Sequence, residues 1–125
     1  MAKYDKKDKV TEMNKLVFYD RENDILSIHN GFSSDEKFKG NIDVGELILD
    51  VSTKGRIRGI EIMNATNFFK EFEIGKDALE NISDVKFNAS IKPNSIIIGI
   101  IIKSKNIQSE ISAKIAVPLE IPASY

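Results

Sequence analysis

Four carboxylates lie where short β-forming runs meet turns. Asp20 and Asp24 belong to "YDREND", Asp50 ends "ELILD", and Glu61 sits in "GRIRGIEIMNA" with Arg56 and Arg58 just before it. Carboxylates that converge on a cleft can hold a cation or share acid and base roles, and paired guanidinium groups can hold an anion. These six residues are the candidates for a site. The cation reading is weak in both places. Residues 50–61, "DVSTKGRIRGIE", align with a calcium loop through Asp50, Gly55, Ile57 and Glu61. However, Ser52 and Lys54 stand where further oxygen ligands belong, and Lys54 would bring an ammonium into the cage. The flanks also read as strands, whereas that motif needs helices. In "DREND" the acids alternate, but Ile25 occupies the position that requires glycine. Hairpin turns explain both stretches better.

Other chemistries fail on residue types. His29 is the one histidine and there is no cysteine, so a zinc site or a thiol nucleophile has no ligand set. Ser33 and Ser34, in "GFSSDE", lack the spacing of a nucleophile elbow. His29 therefore reads as a strand-end histidine. "GRIRG" is flanked by β-formers and opens no helix onto a phosphate, and no dinucleotide or P-loop pattern is present. No catalytic residue, metal or cofactor is expected, and the chain reads as uncertain but leaning away from an enzyme.

The elements that must place these residues are mostly strands. "KLVFYD" and "ILSIH" form a hairpin around "RENDI", with Asp20 and Asp24 at its mouth. "EKFKGNIDV" gives a weaker third strand interrupted by Gly40, Asn41 and Gly45, and residues 46–51 a fourth. Lys54 and Gly55 turn the chain into "RIRGIEIM". Strict alternation there would put Arg56 and Arg58 on one face with Ile60 and Ile62. One extra residue at Gly59 removes the conflict, so Gly59 is expected to mark a β-bulge or a close backbone contact. Ile57, Ile60 and Ile62 then point inward and Glu61 outward.

After Met63 the period changes to a short helical segment over residues 65–82. Asn64 or Thr66 is its cap, Phe68 and Phe72 share a face, Leu79 and Ile82 share another, and Gly75 breaks it. The rest reads as a three-stranded antiparallel meander over residues 84–121. "DVKFNASIK" and "EISAKIAVPL" alternate, while "IIIGIII" at the centre is apolar on both faces. "KPNS" and "SKNIQS" supply its turns. The doubly apolar strand needs cover from the helical segment, the other sheet or a second copy. The fold class is α+β, mainly β, with antiparallel hairpins and a C-terminal meander packed with a short helical segment. Residues 1–14 read as a flexible leader and residues 15–125 as one domain.

Composition narrows the partners. The 125 residues carry 18 basic and 19 acidic side chains, for a net charge of -1. That balance leaves no footprint for nucleic acid. The start of the chain lacks an apolar signal core, and the longest apolar run is far short of the ~20 residues that span a bilayer as a helix. A soluble cytoplasmic protein with no membrane partner is the expectation.

The segments "YDRENDILSI", "ELILD" and "GRIRGIEIMNA", in that order, resemble domain-of-unknown-function family 2283 over about residues 17–69. The markers are Tyr19, Asp20, Asp24, Asp50, the run Gly59, Ile60, Glu61 and Ile62, then Asn64 and Ala65. Ser27 and Lys54 depart from the usual pattern. The resemblance implies no established activity. It does imply, through some relatives, an antitoxin-like partnership with a small toxin. The leading expectation is a non-enzymatic, homo-oligomeric interaction or binding module, a dimer being the simplest form. The alternative is a small protein that uses its carboxylates to bind a metal or ligand.

Overall fold

The computed structural model describes residues 16–105 and 110–119. The leader expected over residues 1–14, most of the "SKNIQS" turn and the last residues of the meander lie outside them. The described residues form a five-stranded sheet, a short helical segment and a three-stranded sheet, in that order. The first sheet comprises β1 (Leu16–Asp20), β2 (Ile25–His29), β3 (Phe38–Val44), β4 (Leu47–Ser52) and β5 (Ile57–Ile62). Its spatial order is β1-β2-β5-β4-β3, and every neighbouring pair is antiparallel. β3, β4 and β5 follow one another as hairpins and β2 returns beside β5, which is a Greek key. The crossover from β2 to β3 therefore passes the ends of β5 and β4.

Alternation dictates which face is buried. Leu26 and Ile28, Leu47, Leu49 and Val51, and Ile57, Ile60 and Ile62 are all buried on the inner face. Ser27, His29, Asp50 and Glu61 take the outer face. β3 runs through Gly40 and Asn41 rather than stopping at them, because its irregularity is a register shift between Phe38 and Gly40. The β3–β4 turn is two residues long. Gly45, at φ 62, supplies the positive φ that such hairpin turns require at their first central position.

The helical segment is broken as the glycine suggests, but differently in detail. It consists of α1 (Ala65–Phe68), a 3-10 turn (Lys70–Phe72) and α2 (Lys76–Glu80). With only one α-turn before the 3-10 turn, the spacing of Phe68 and Phe72 does not define the buried face. Phe69 is fully buried instead, with edge-to-face contacts to both. Ile82 leaves the helical segment and opens β6 (Ile82–Ile91), which pairs with β7 (Ser95–Ser104); β8 (Ile111–Pro118) completes the meander, with β7 central. Ile96, Ile98, Ile100 and Ile102 join Phe69, Ile74, Leu79 and the inner face of the first sheet in one apolar core. On the other face of β7, Ile97 and Ile101 are half-buried with Gly99 between them. The side chain of Asn88 fills the space above that glycine. No helix among the described residues is long and apolar enough to cross a membrane.

Candidate functional site

The carboxylates of the first hairpin are used to hold the fold together. Asp20 receives the backbone N–H of Asn23 at 3.1 Å and its side-chain amide at 2.9 Å. The amide, then the backbone N–H, holds this carboxyl below its ordinary range. Asp24 closes the turn in the left-handed region at φ 56, a conformation that a short polar side chain tolerates. Its carboxylate receives the Tyr19 hydroxyl at 2.6 Å, the Thr66 hydroxyl at 2.7 Å and the Thr66 backbone N–H at 3.2 Å. Its carbonyl receives the Ala65 N–H at 2.9 Å. Burial alone would raise the Asp24 carboxyl, but the Tyr19 and Thr66 donors together lower it. Burial, followed by the bond to Asp24, raises the Tyr19 phenol in turn.

This bracket corrects the expected helix cap. Asn64 does occupy the cap position of α1, but at φ 52 its side chain makes no capping bond. Asp24, distant in sequence, satisfies the free helical N–H in its place.

The two arginines meet a residue that residue typing overlooked. Glu36, on the β2–β3 crossover, is 5% exposed. Its carboxylate receives the Ser33 backbone N–H at 2.9 Å, the Ser52 hydroxyl at 2.7 Å and the Arg58 Nε at 2.6 Å. Arg56 Nη1 lies 3.7 Å away. Burial pushes the Glu36 carboxyl up, but the Ser33 and Ser52 donors and Arg58 outweigh it and hold the carboxyl at about 2. The spacing of Ser33 and Glu36 is that of a capping box, the one sequence signal that Glu36 folds back on its own loop. Its burial depends on the crossover, which no local pattern reveals.

The expected irregularity at Gly59 is present, and it takes both proposed forms. Asp50 pairs with Gly59 and Val51 with Ile57, so Arg58 is the extra residue that turns Ile57, Ile60 and Ile62 to one side. Gly59 is also a close contact. A Cβ there would lie 2.5 Å from His29 Cδ2 and 2.8 Å from Asp50 Oδ2. His29 and Asp50 reach toward each other across the bare glycine, with Nε2 and Oδ2 3.7 Å apart. The Gly31 N–H donates to His29 Nδ1 at 2.8 Å, which assigns the ring proton of a neutral His29 to Nε2, facing Asp50. Asn41 donates to the other Asp50 oxygen at 2.5 Å, and Phe32 packs edge-on against the imidazole. Above this pair lies an open hollow of about 210 Å³, bordered by Leu16, Phe18, Ser27 and Glu61.

The four carboxylates thus fall into two groups. Asp50 and Glu61 share the outer face near the hollow. Asp20 is level with Ile25, four residues along β2 from His29 and about 13 Å away at strand spacing. Among the described residues, no group of three or more His, Asp or Glu side chains is placed to hold a metal.

The family described as a protein of unknown function (DUF2283) matches residues 16–65, from the start of β1 to the start of α1. "Uncharacterized protein MJ0789" of Methanocaldococcus jannaschii is 34% identical over 92 residues, which cover 73% of this chain and 72% of that protein. A Methanosarcina mazei protein named "Putative hypoxanthine phosphoribosyltransferase" is 31% identical over 78 residues, 62% of this chain. The match spans 58% of the length of that relative. No solved structure matches the chain.

Proposed function

We propose that this chain, which belongs to the DUF2283 family of proteins of unknown function, is a non-enzymatic module that binds a second copy of itself. The observation that supports this reading is on β1. Among the described residues it is an edge strand, and its consecutive residues Leu16, Val17 and Phe18 are 64%, 37% and 65% exposed. An unpaired edge with apolar side chains on both faces is a surface that native proteins normally cover. Pairing of two such edges would cover it in a cytoplasmic homo-oligomer, a dimer in the simplest case. Light scattering behind size exclusion tests this. The wild type should run as a dimer or larger, and Phe18→Lys should run as a monomer with an unchanged far-UV spectrum. A monomeric wild type at every concentration reached would refute self-association.

A second reading, a small-ligand site on the outer face, is favoured by the glycine that opens space between His29 and Asp50. Melting with Ca²⁺, Mg²⁺ or Mn²⁺ tests its metal-binding version, since a ligand that binds only the native state raises the midpoint. An antitoxin-like role with a small toxin would show as co-purification with the product of an adjacent gene. The name carried by the M. mazei relative suggests phosphoribosyl transfer. The described residues lend it little support, because "LDVSTKG" turns from β4 back into antiparallel β5 rather than into a helix whose N-terminus could receive a phosphate.

A further inference from the structure

A cleft separate from β1 runs between the β4–β5 turn and the outer edge of β6, with Arg56 and Arg58 at its mouth. We propose that Arg56 and Arg58 there bind an oxyanion with two exposed acceptor oxygens, a carboxylate or a phosphate group. The cleft has a volume of about 340 Å³, and Asn30, Asn88 and Ser90 line it together with the two arginines. That volume is at the lower end of the range of small-molecule sites.

Two guanidinium groups share one buried carboxylate. Glu36 takes the Arg58 Nε at 2.6 Å and stands 3.7 Å from Arg56 Nη1. A single arginine would neutralise Glu36, so the pair leaves a positive charge at the cleft. The nearby Lys54 stands 3.9 Å from Asp35 and does not alter that balance. Among the described residues, none accepts a hydrogen bond from the two terminal nitrogens of Arg58 or from the guanidinium of Arg56. The Arg58 side chain is 22% exposed and that of Arg56 53% exposed, so both reach solvent at the mouth of the cleft.

The buried Glu36 holds the Arg58 fork by its Nε and leaves the outer edge free. That edge matches the two oxygens of a carboxylate or phosphate. Orientation by a buried partner reduces the cost of fixing a long side chain on binding. Asn30 is fixed as well, because its side-chain amide donates to the Phe87 carbonyl on the β6 edge at 2.9 Å. Arg58 and Asn30 are therefore held in place before a ligand arrives, and Arg56 adds its charge from the rim.

Titration with inorganic phosphate at constant ionic strength, followed by ¹⁵N NMR of the arginine Nε–H groups and backbone amides, tests the site. Saturable shifts are expected at Arg56, Arg58, Asn30 and Asn88. Arg56→Gln should weaken binding about tenfold, the loss of one charge-assisted bond, and leave the melting temperature unchanged. Lys54→Gln should change affinity little. Arg58 is left in place because its removal would strand Glu36. Phenyl phosphate and benzoate distinguish the source of the oxyanion: tighter binding of one over the other assigns the group, and either result sustains the site. Shifts that never saturate, that spread over the surface lysines, or that survive Arg56→Gln unchanged would overturn it.

Discussion

Gly59→Ala is the sharpest test of the outer face. The added methyl would lie 2.5 Å from His29 Cδ2 and 2.8 Å from Asp50 Oδ2, distances that require one or both side chains to move. Asp50 presents the tip of a rotatable side chain and can yield. The imidazole cannot yield freely, because the Gly31 N–H holds Nδ1 and Phe32 packs against the ring. Displacing it loses a hydrogen bond worth about 1 kcal/mol and an aromatic contact worth about as much, and it leaves the Gly31 N–H unpaired. Replacing a strand glycine by alanine returns about 0.5–1 kcal/mol. The expected net cost is about 2 kcal/mol in the wild type. In a His29→Ala background the obstacle is gone, so the same substitution should be neutral or stabilising. A double-mutant cycle by urea unfolding should therefore show a coupling of about 2–3 kcal/mol between positions 29 and 59. Equal costs in the two backgrounds would show that the glycine is not there to admit the histidine.

Two further perturbations probe the brackets around the site. Glu36 is held at about 2 against an ordinary value of 4.5, so it contributes stability that is complete above the ordinary value and is lost as pH falls toward 2. That contribution is about 3 kcal/mol, and acid unfolding of Glu36→Gln, compared with wild type over this window, should lack it. At neutral pH the same variant leaves Arg58 without its ion pair and should be less stable. Removing the Tyr19 hydroxyl with Tyr19→Phe should cost about 1 kcal/mol in urea unfolding, and one of the three phenols should ionise late in an ultraviolet titration of the wild type but not of this variant.

What the chain disclosed by its pattern follows from how locally each feature is determined. The meander was legible because β6, β7 and β8 follow one another and each strand carries its own alternation. The irregularity near Gly59 was legible because charge and core collide within the seven residues from Arg56 to Ile62. The partners of Asp24 and Glu36 were hidden because Thr66 lies 42 residues from Asp24 and Arg58 lies 22 from Glu36. Only the Greek-key crossover and the turn into α1 bring them together, and no spacing rule encodes that. The Phe69 reversal has the same origin: a helical period needs more than one turn to set a face.

The signature residues now divide by the work they do. Tyr19, Asp24 and Ala65 form the bracket that joins the first hairpin to α1, Asn64 turns the chain into that helix, and Asp20 closes its own turn. Ile60 and Ile62 are core. Structural need accounts for all of these without any ligand. Gly59, Asp50 and Glu61 remain, and they adjoin the one histidine, on the outer face beside the exposed edge of β1. Gly59 is explained only by the approach of His29 to Asp50, and that contact is too long to be a strong hydrogen bond. A glycine in a central strand costs about 0.5–1 kcal/mol against alanine, and the hydrogen bond and ring contact that hold His29 over Gly59 more than offset that cost. Gly59 thus sets His29 and Asp50 side by side at the floor of the hollow that Leu16, Phe18 and Glu61 border, beside the exposed residues of β1.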